Sequence, residues 1–261
     1  MRCEIHRSGG TTLWYDPDLW PDARAGSLDF AHRSHRGGEC LDSGRGNALI
    51  WTRADGREWV LRHYRRGGWI ARLSPDRYVW LGEARSRAWR EFTLLQALHA
   101  EGLPVPRPVA ARVVHEGPFY RQDLVTERVP GARPLSERLQ QAPLPPEGWA
   151  ALGQTLGRFH RAGVGHADLN AANILVDDQG GFFLIDFDRG RRPASRAFQA
   201  RALGRLRASL DKWAGRVPRF HFQAADWAQL TRALPAAGGG SGRLRSTLVW
   251  VQQALLPLVM V

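Results

Sequence analysis

The sequence predicts an α+β fold in two parts, a small antiparallel sheet with one helix over residues 1–128 and a mainly helical unit over 129–261. Three observations predict it. Residues 45–64 alternate apolar and polar around a turn signal. Residues 83–100 switch to helical spacing before two further strand-like runs. Beyond 146, three helical patterns enclose a single short hairpin.

In the first hairpin, the apolar N47-A-L-I-W51 runs into the turn pair Asp55-Gly56, and the alternating R57-E-W-V-L-R-H-Y64 returns. Gly44 and Gly46 stand at its entrance, where glycine lets backbone amides approach a phosphate; glycine also simply makes loops there. In the helical run, Ala84, Ala88, Leu95 and Leu98 share one face, and Glu91 lies in the middle of it. The stretch G102-L-P-V-P-R-P-V-A110 has three prolines at alternate positions, which forbids helix and sets an extended connector. Strands are predicted over 111–116 and about 120–128.

A proline-rich linker, A142-P-L-P-P-E-G148, precedes a helix over about 147–162 with Trp149, Leu152, Leu156 and Phe159 on one face. Two short apolar runs, 174–176 and 182–186, flank D177-D-Q-G-G181 as a second hairpin. Helices are predicted over 194–214 and 225–234, followed by the linker A236-A-G-G-G-S-G242.

Composition bounds the function. A 43% hydrophobic content is that of a globular protein. Two cysteines, Cys3 and Cys40, make neither a disulfide framework nor a zinc site, and read as reduced thiols. No stretch reaches the roughly 20 apolar residues of a spanning helix, and the first residues carry no signal-peptide pattern, so a cytoplasmic location is expected. The formal charge of +12 points either to an anionic partner or to a solvated arginine-rich surface, since Lys212 is the only lysine.

The most informative residues flank the second hairpin. In H166-A-D-L-N-A-A-N173 and L184-I-D-F-D188, an aspartate, an asparagine five positions on and a further aspartate have the catalytic-loop and metal-loop spacing of the protein-kinase-like fold. Asp and Asn are also ordinary turn residues, but the complete pattern favours chemistry. Asp168 is then the catalytic base that orients and accepts a hydroxyl proton, and Asn173 and Asp186 offer oxygens to Mg2+. His166 is read as a packed residue that fixes the backbone around Asp168.

Kinases of this fold carry a lysine on the third strand, paired with a helix glutamate and touching the ATP phosphates. Here Arg62 holds that position, with Glu91 as its partner, because a carboxylate on an apolar helix face is costly unless paired. Glu127 to Val129 follow an apolar strand as the connector between lobes, where backbone groups of Glu127 and Val129 are expected at the adenine edge.

Asp188 replaces the glycine of protein kinases, and residues 189–261 contain no A-P-E sequence and too little chain for a peptide-docking lobe. A small-molecule or sugar substrate is expected. The runs V60-L-R-H-Y-R-R-G-G68, 102–113, G165-H-A-D-L-N-A-A-N-I-L175 and L184-I-D-F-D-R-G-R191 together resemble the 3-deoxy-D-manno-octulosonic acid (Kdo) kinase family over roughly 30–215. In that family an arginine in the L-R-H-Y run is expected, so Arg62 agrees with the resemblance.

The resemblance implies transfer of the ATP γ-phosphate to the 4-hydroxyl of Kdo on Kdo-lipid IVA, in lipopolysaccharide core assembly at the cytoplasmic face of the inner membrane. It implies ATP and Mg2+ as cofactors, an anionic lipid-linked sugar as partner and a peripheral membrane location. Arginine suits forked recognition of carboxylate and phosphate, and residues 62–72 are the candidate contact surface, or else a solvated strand end. The apolar tail 248–261 either lies in the membrane interface or completes the core. Kinases of another sugar, such as a lipopolysaccharide heptose, are the nearest alternative. A basic nucleic-acid-binding protein is the non-enzyme alternative, and no nucleic acid is expected.

Overall fold

The computed structural model describes residues 2–24, 28, 39–40, 48–66 and 75–234. Gly44 and Gly46, residues 67–72 of the basic segment, the 236–242 linker and the 248–261 tail lie outside them. The described chain is α+β. Its first sheet contains β1 (Glu4–Ser8), β2 (Thr11–Tyr15), β3 (Glu39–Cys40), β4 (Ala48–Thr52), β5 (Glu58–His63), β6 (Tyr78–Val79), β7 (Pro108–Glu116) and β8 (Phe119–Glu127). The strand order is β1-β2-β7-β8-β5-β4-β3, with β6 on β8, and every pairing is antiparallel.

The first hairpin forms as its turn signal predicts. Gly56 takes φ 80°, which glycine adopts without a Cβ clash. Its amide donates to the Arg53 carbonyl at 3.0 Å, and Ala48 pairs with Arg62. The period of two then divides β5: Trp59 and Leu61 are fully buried against Leu13, Trp20 and Val125, while Arg62 takes the opposite face.

That opposite face meets helix α1 (Arg87–Ala100), the only long helix described before residue 135. It begins later than the periodicity suggests. Ser86 takes the N-cap, its hydroxyl accepting from the Trp89 amide, and Ala84 falls in a separate 3-10 turn, Glu83–Arg85, where it is exposed. Ala88, Glu91, Phe92, Leu95 and Leu98 form its buried stripe. The proline connector ends where β7 starts, at Pro108, three residues earlier than the sequence pattern suggests.

Beyond β8 lie a short strand β9 (Arg133–Pro134), α2 (Leu135–Gln141), α3 (Pro146–Arg161), the hairpin β10 (Ile174–Val176) and β11 (Phe182–Leu184), α4 (Arg196–Ala214) and α5 (Ala224–Ala233). Helix α2 is absent from the sequence expectations. Trp149, Leu152, Leu156 and Phe159 bury one face of α3 as predicted, each worth about 1.5–3 kcal/mol of burial. Gly153 lets α5 cross closely, since a Cβ there would stand 2.2 Å from the Leu230 carbonyl oxygen. One apolar cluster runs from Phe92 and Leu95 of α1 through Phe187 to Leu206 of α4, so α1 and the C-terminal helices share a core.

Candidate active site

Helix α3 delivers the chain into the first functional loop. Gly163, at φ 68°, ends the helix, and the Val164 amide returns to the Phe159 carbonyl at 2.9 Å. Gly165 and Arg191 then exchange two backbone hydrogen bonds of 2.9 Å, which ties the start of one loop to the end of the other. Gly165 has no room for a side chain, because a Cβ would lie 2.4 Å from the Phe198 ring.

His166 is 4% exposed, and its ring lies 4.7 Å from that of Phe187. Its Nε2 stands 2.8 Å from the Ile185 carbonyl and its Nδ1 3.2 Å from the Asp168 amide nitrogen. A carbonyl only accepts and an amide only donates, so both contacts require the neutral ring protonated on Nε2. Burial lowers the His166 pKa below its ordinary value and favours that state. His166 therefore braces backbone, the supporting role expected of it.

Asp168 presents an exposed carboxylate. Its carbonyl accepts from Asn173 Nδ2 at 2.9 Å and Asn170 Nδ2 at 3.1 Å. Asn170 also caps the 3-10 turn Ala171–Asn173 through its Oδ1, and the Ser209 hydroxyl of α4 accepts the Ala171 amide at 3.2 Å. With its amide nitrogen committed to Asp168, Asn173 keeps its side-chain oxygen for another partner. The Ile185 amide donates to the Asn173 carbonyl at 3.1 Å, which brings the second loop alongside the first.

Asp186 sits on that second loop at φ 62°, a left-handed conformation uncommon outside glycine and frequent at functional sites. Arg62 joins it to α1: Nη1 donates to Asp186 Oδ1, and Nη2 donates to Glu91 Oε2 and, at 3.0 Å, to the Tyr64 hydroxyl. The Tyr64 hydroxyl donates to the same Glu91 oxygen at 2.6 Å. Glu91 is 2% exposed, and burial pushes its carboxyl up despite Arg62. Burial also acts to raise Asp186, but the Arg62 charge outweighs it and holds that carboxyl below the ordinary range. Arg62 is thus a fixed cation between two carboxylates.

The structure brings Asp168, Asn173, Asp186, Arg62 and Glu91 into one connected network. Glu127 and Val129 lie at the end of β8 and in the connector after it. The Glu127 amide donates to the Arg107 carbonyl at 2.8 Å, and the Val129 carbonyl accepts from Ala132 at 3.3 Å, while the Val129 amide takes no acceptor among the described residues. Gly131, at φ 63°, brings this connector against the β10–β11 turn, where a Cβ would meet the Asp178 carboxylate.

Sequence reasoning missed Tyr64, Arg87 and Asp188 as partners. Arg87 donates from Nε to Asp188 Oδ1 at 2.7 Å and from Nη2 to Asp188 Oδ2. Only the departure of Asp188 from the kinase glycine hinted at this.

A magnesium site is compatible with these side chains. Asn173 and Asp186 supply an amide and a carboxylate oxygen, and magnesium commonly takes one or two protein ligands, with phosphate and water completing an octahedron. Among the described residues no group of three His, Cys, Asp or Glu converges, so a closed all-protein cage is not present there.

The model of the "Lipopolysaccharide kinase (Kdo/WaaP) family" matches residues 31–234. A 3-deoxy-D-manno-octulosonic acid kinase of Xanthomonas axonopodis pv. citri is 48% identical over 227 residues, covering 86% of this chain and 84% of that protein. One from Stenotrophomonas maltophilia is 41% identical over 241 residues, covering 90% and 93%. One from Photobacterium profundum is 38% identical over 216 residues, covering 82% and 91%.

Proposed function

The chain belongs to the lipopolysaccharide kinase (Kdo/WaaP) family, and from that premise we propose that it moves the γ-phosphoryl group of ATP to the 4-hydroxyl of Kdo on Kdo-lipid IVA. It is a kinase, and its fold is accordingly protein-kinase-like and uses ATP. The observation that carries the reading of the site is the exposed Asp168 carboxylate, on a backbone braced by Asn173 and beside the Arg62–Asp186 pair.

Asp168 accepts the proton of the sugar hydroxyl as its oxygen bonds to the γ-phosphorus. The bond from that phosphorus to the β–γ bridging oxygen breaks, and ADP leaves. Arg62, permanently charged, exchanges its contact with Asp186 for phosphate oxygens while Glu91 keeps its position. Asn173 and Asp186 would hold magnesium, which when bound neutralises phosphate charge. The Val129 amide and the Glu127 carbonyl are the groups this reading assigns to the adenine edge. The lobe boundary in this reading falls between Arg128 and Val129.

Contact with the cytoplasmic face of the inner membrane belongs to the same proposal. Exposed Val79 pairs with exposed Phe119, exposed Leu81 follows two residues on, and Arg77 and Arg121 nearby share Glu116 as an ion-pair partner. No described helix is long and apolar enough to cross a membrane. The test is phosphorylation of Kdo-lipid IVA by the purified chain with ATP and magnesium.

A further inference from the structure

The sequence D186-F-D188 places two carboxylates two residues apart at the end of one loop, and either has the chemistry of a magnesium ligand. The structure treats them differently. Both oxygens of Asp188 are held by the Arg87 guanidinium, a forked pairing that leaves the carboxylate 17% exposed. Asp186 has one oxygen on Arg62 and is 36% exposed.

Arg87 is itself fixed from several sides. Its Nη1 donates to the Tyr78 hydroxyl at 3.2 Å, and its guanidinium carbon lies 5.3 Å from the Tyr78 ring centre and 5.5 Å from that of Tyr64. Arg87 opens α1, and Glu91 follows one turn later on the same side of the helix. One helix face thus grips the loop twice, Asp188 directly through Arg87 and Asp186 through Glu91 and Arg62.

We propose that Arg87 is a positioning residue for phosphoryl transfer: by holding Asp188 in a two-point contact it fixes the 186–188 loop against α1 and leaves Asp186 as the carboxylate presented to metal and nucleotide. The left-handed backbone at Asp186 needs such a hold, since a non-glycine residue keeps φ 62° only where its surroundings impose it. The inference rests on the kinase reading above, which already assigns the metal to Asp186, and adds the contact that holds its loop in place.

The test is a double-mutant cycle on the full chain with Arg87→Met, Asp188→Asn and the pair, alongside Arg87→Lys. ADP affinity is measured with and without magnesium, together with kcat, KM for ATP and thermal unfolding. Each single change is expected to keep metal-free ADP affinity, to lower kcat and to cut the magnesium-dependent gain in ADP affinity by about tenfold, with the double variant no worse than either single. Arg87→Lys, which keeps charge without the fork, should fall between wild type and Arg87→Met.

A full magnesium-dependent gain in Arg87→Met and Arg87→Lys overturns the inference alone. So does an Asp188→Asn loss far larger than that of Arg87→Met and additive with it, because Asp188 is then itself a ligand. A wild-type protein without any magnesium-dependent gain in ADP affinity overturns the kinase reading along with it.

Discussion

The Asn173 side-chain amide donates to the Asp168 carbonyl at 2.9 Å, so the proposed metal ligand also braces the backbone of the proposed base. One residue serves two parts of the site. Asn173→Ala removes both contributions and should lower kcat by about a hundredfold or more, the scale expected from several kcal/mol of lost charge stabilisation. Asn173→Asp keeps an oxygen ligand but loses the donor. Steady-state kinetics should place it between Asn173→Ala and wild type; equal activity of Asn173→Ala and wild type would remove Asn173 from the site.

Arg62→Met leaves Glu91 buried without its cation. Breaking a buried pair costs about 3–5 kcal/mol, and the lower end applies here because Arg62 is 23% exposed and Tyr64 still donates to Glu91. The double variant Arg62→Met/Glu91→Gln should recover most of the lost Tm and none of the turnover. Thermal unfolding of the three proteins separates the stability role of the pair from its chemical role.

His63 carries a pH signature. Its ring nitrogens lie 2.7 Å from Asp123 and 3.2 Å from Asp76, and Arg112 donates to the second oxygen of Asp123 at 2.7 Å. Burial acts to lower the His63 pKa, but the two carboxylates outweigh it and raise it from its ordinary 6.5. A group raised in the folded state stabilises fully below its unfolded pKa and loses that contribution as pH rises through the folded value. The Tm gap between wild type and His63→Gln should therefore be wider at about pH 5.5 than at about pH 9. A gap that widens toward alkaline pH would contradict the assignment.

Gly153→Ala sets two effects against each other. Alanine gains about 1 kcal/mol of helix propensity over glycine, but its Cβ would lie 2.2 Å from the Leu230 backbone oxygen. A helix backbone cannot yield as a flexible side chain can, and overpacking of this kind costs about 1–3 kcal/mol. The collision wins, and Tm should fall; a rise would mean α5 shifts freely on α3.

What the sequence shows and what it hides divide along physical lines. The first hairpin, α3 and the β10–β11 hairpin were legible because each has its own period and its own turn or cap, as with Gly56 and Trp149 to Phe159. Arg62 was legible as the partner of Glu91 because a strand period and a helix period both point inward. The start of α1 was not, since Ala84 fits the helical spacing but the Ser86 cap decides the boundary. Short α2 lacks the length to show a period. The Arg87–Asp188 pair joins residues 101 positions apart, and nothing local in either segment announces it.

The network around Asp168 is proposed to phosphorylate a lipid-linked sugar. The most direct measurement is the mass of Kdo-lipid IVA after incubation with ATP, magnesium and the purified protein, run in parallel with Asp168→Ala. A gain of one phosphate is expected with wild type and none with Asp168→Ala, whose ATP binding is retained. A phosphate gain at wild-type rate with Asp168→Ala would remove Asp168 as the base, and no gain with the wild-type protein would contradict the proposed substrate.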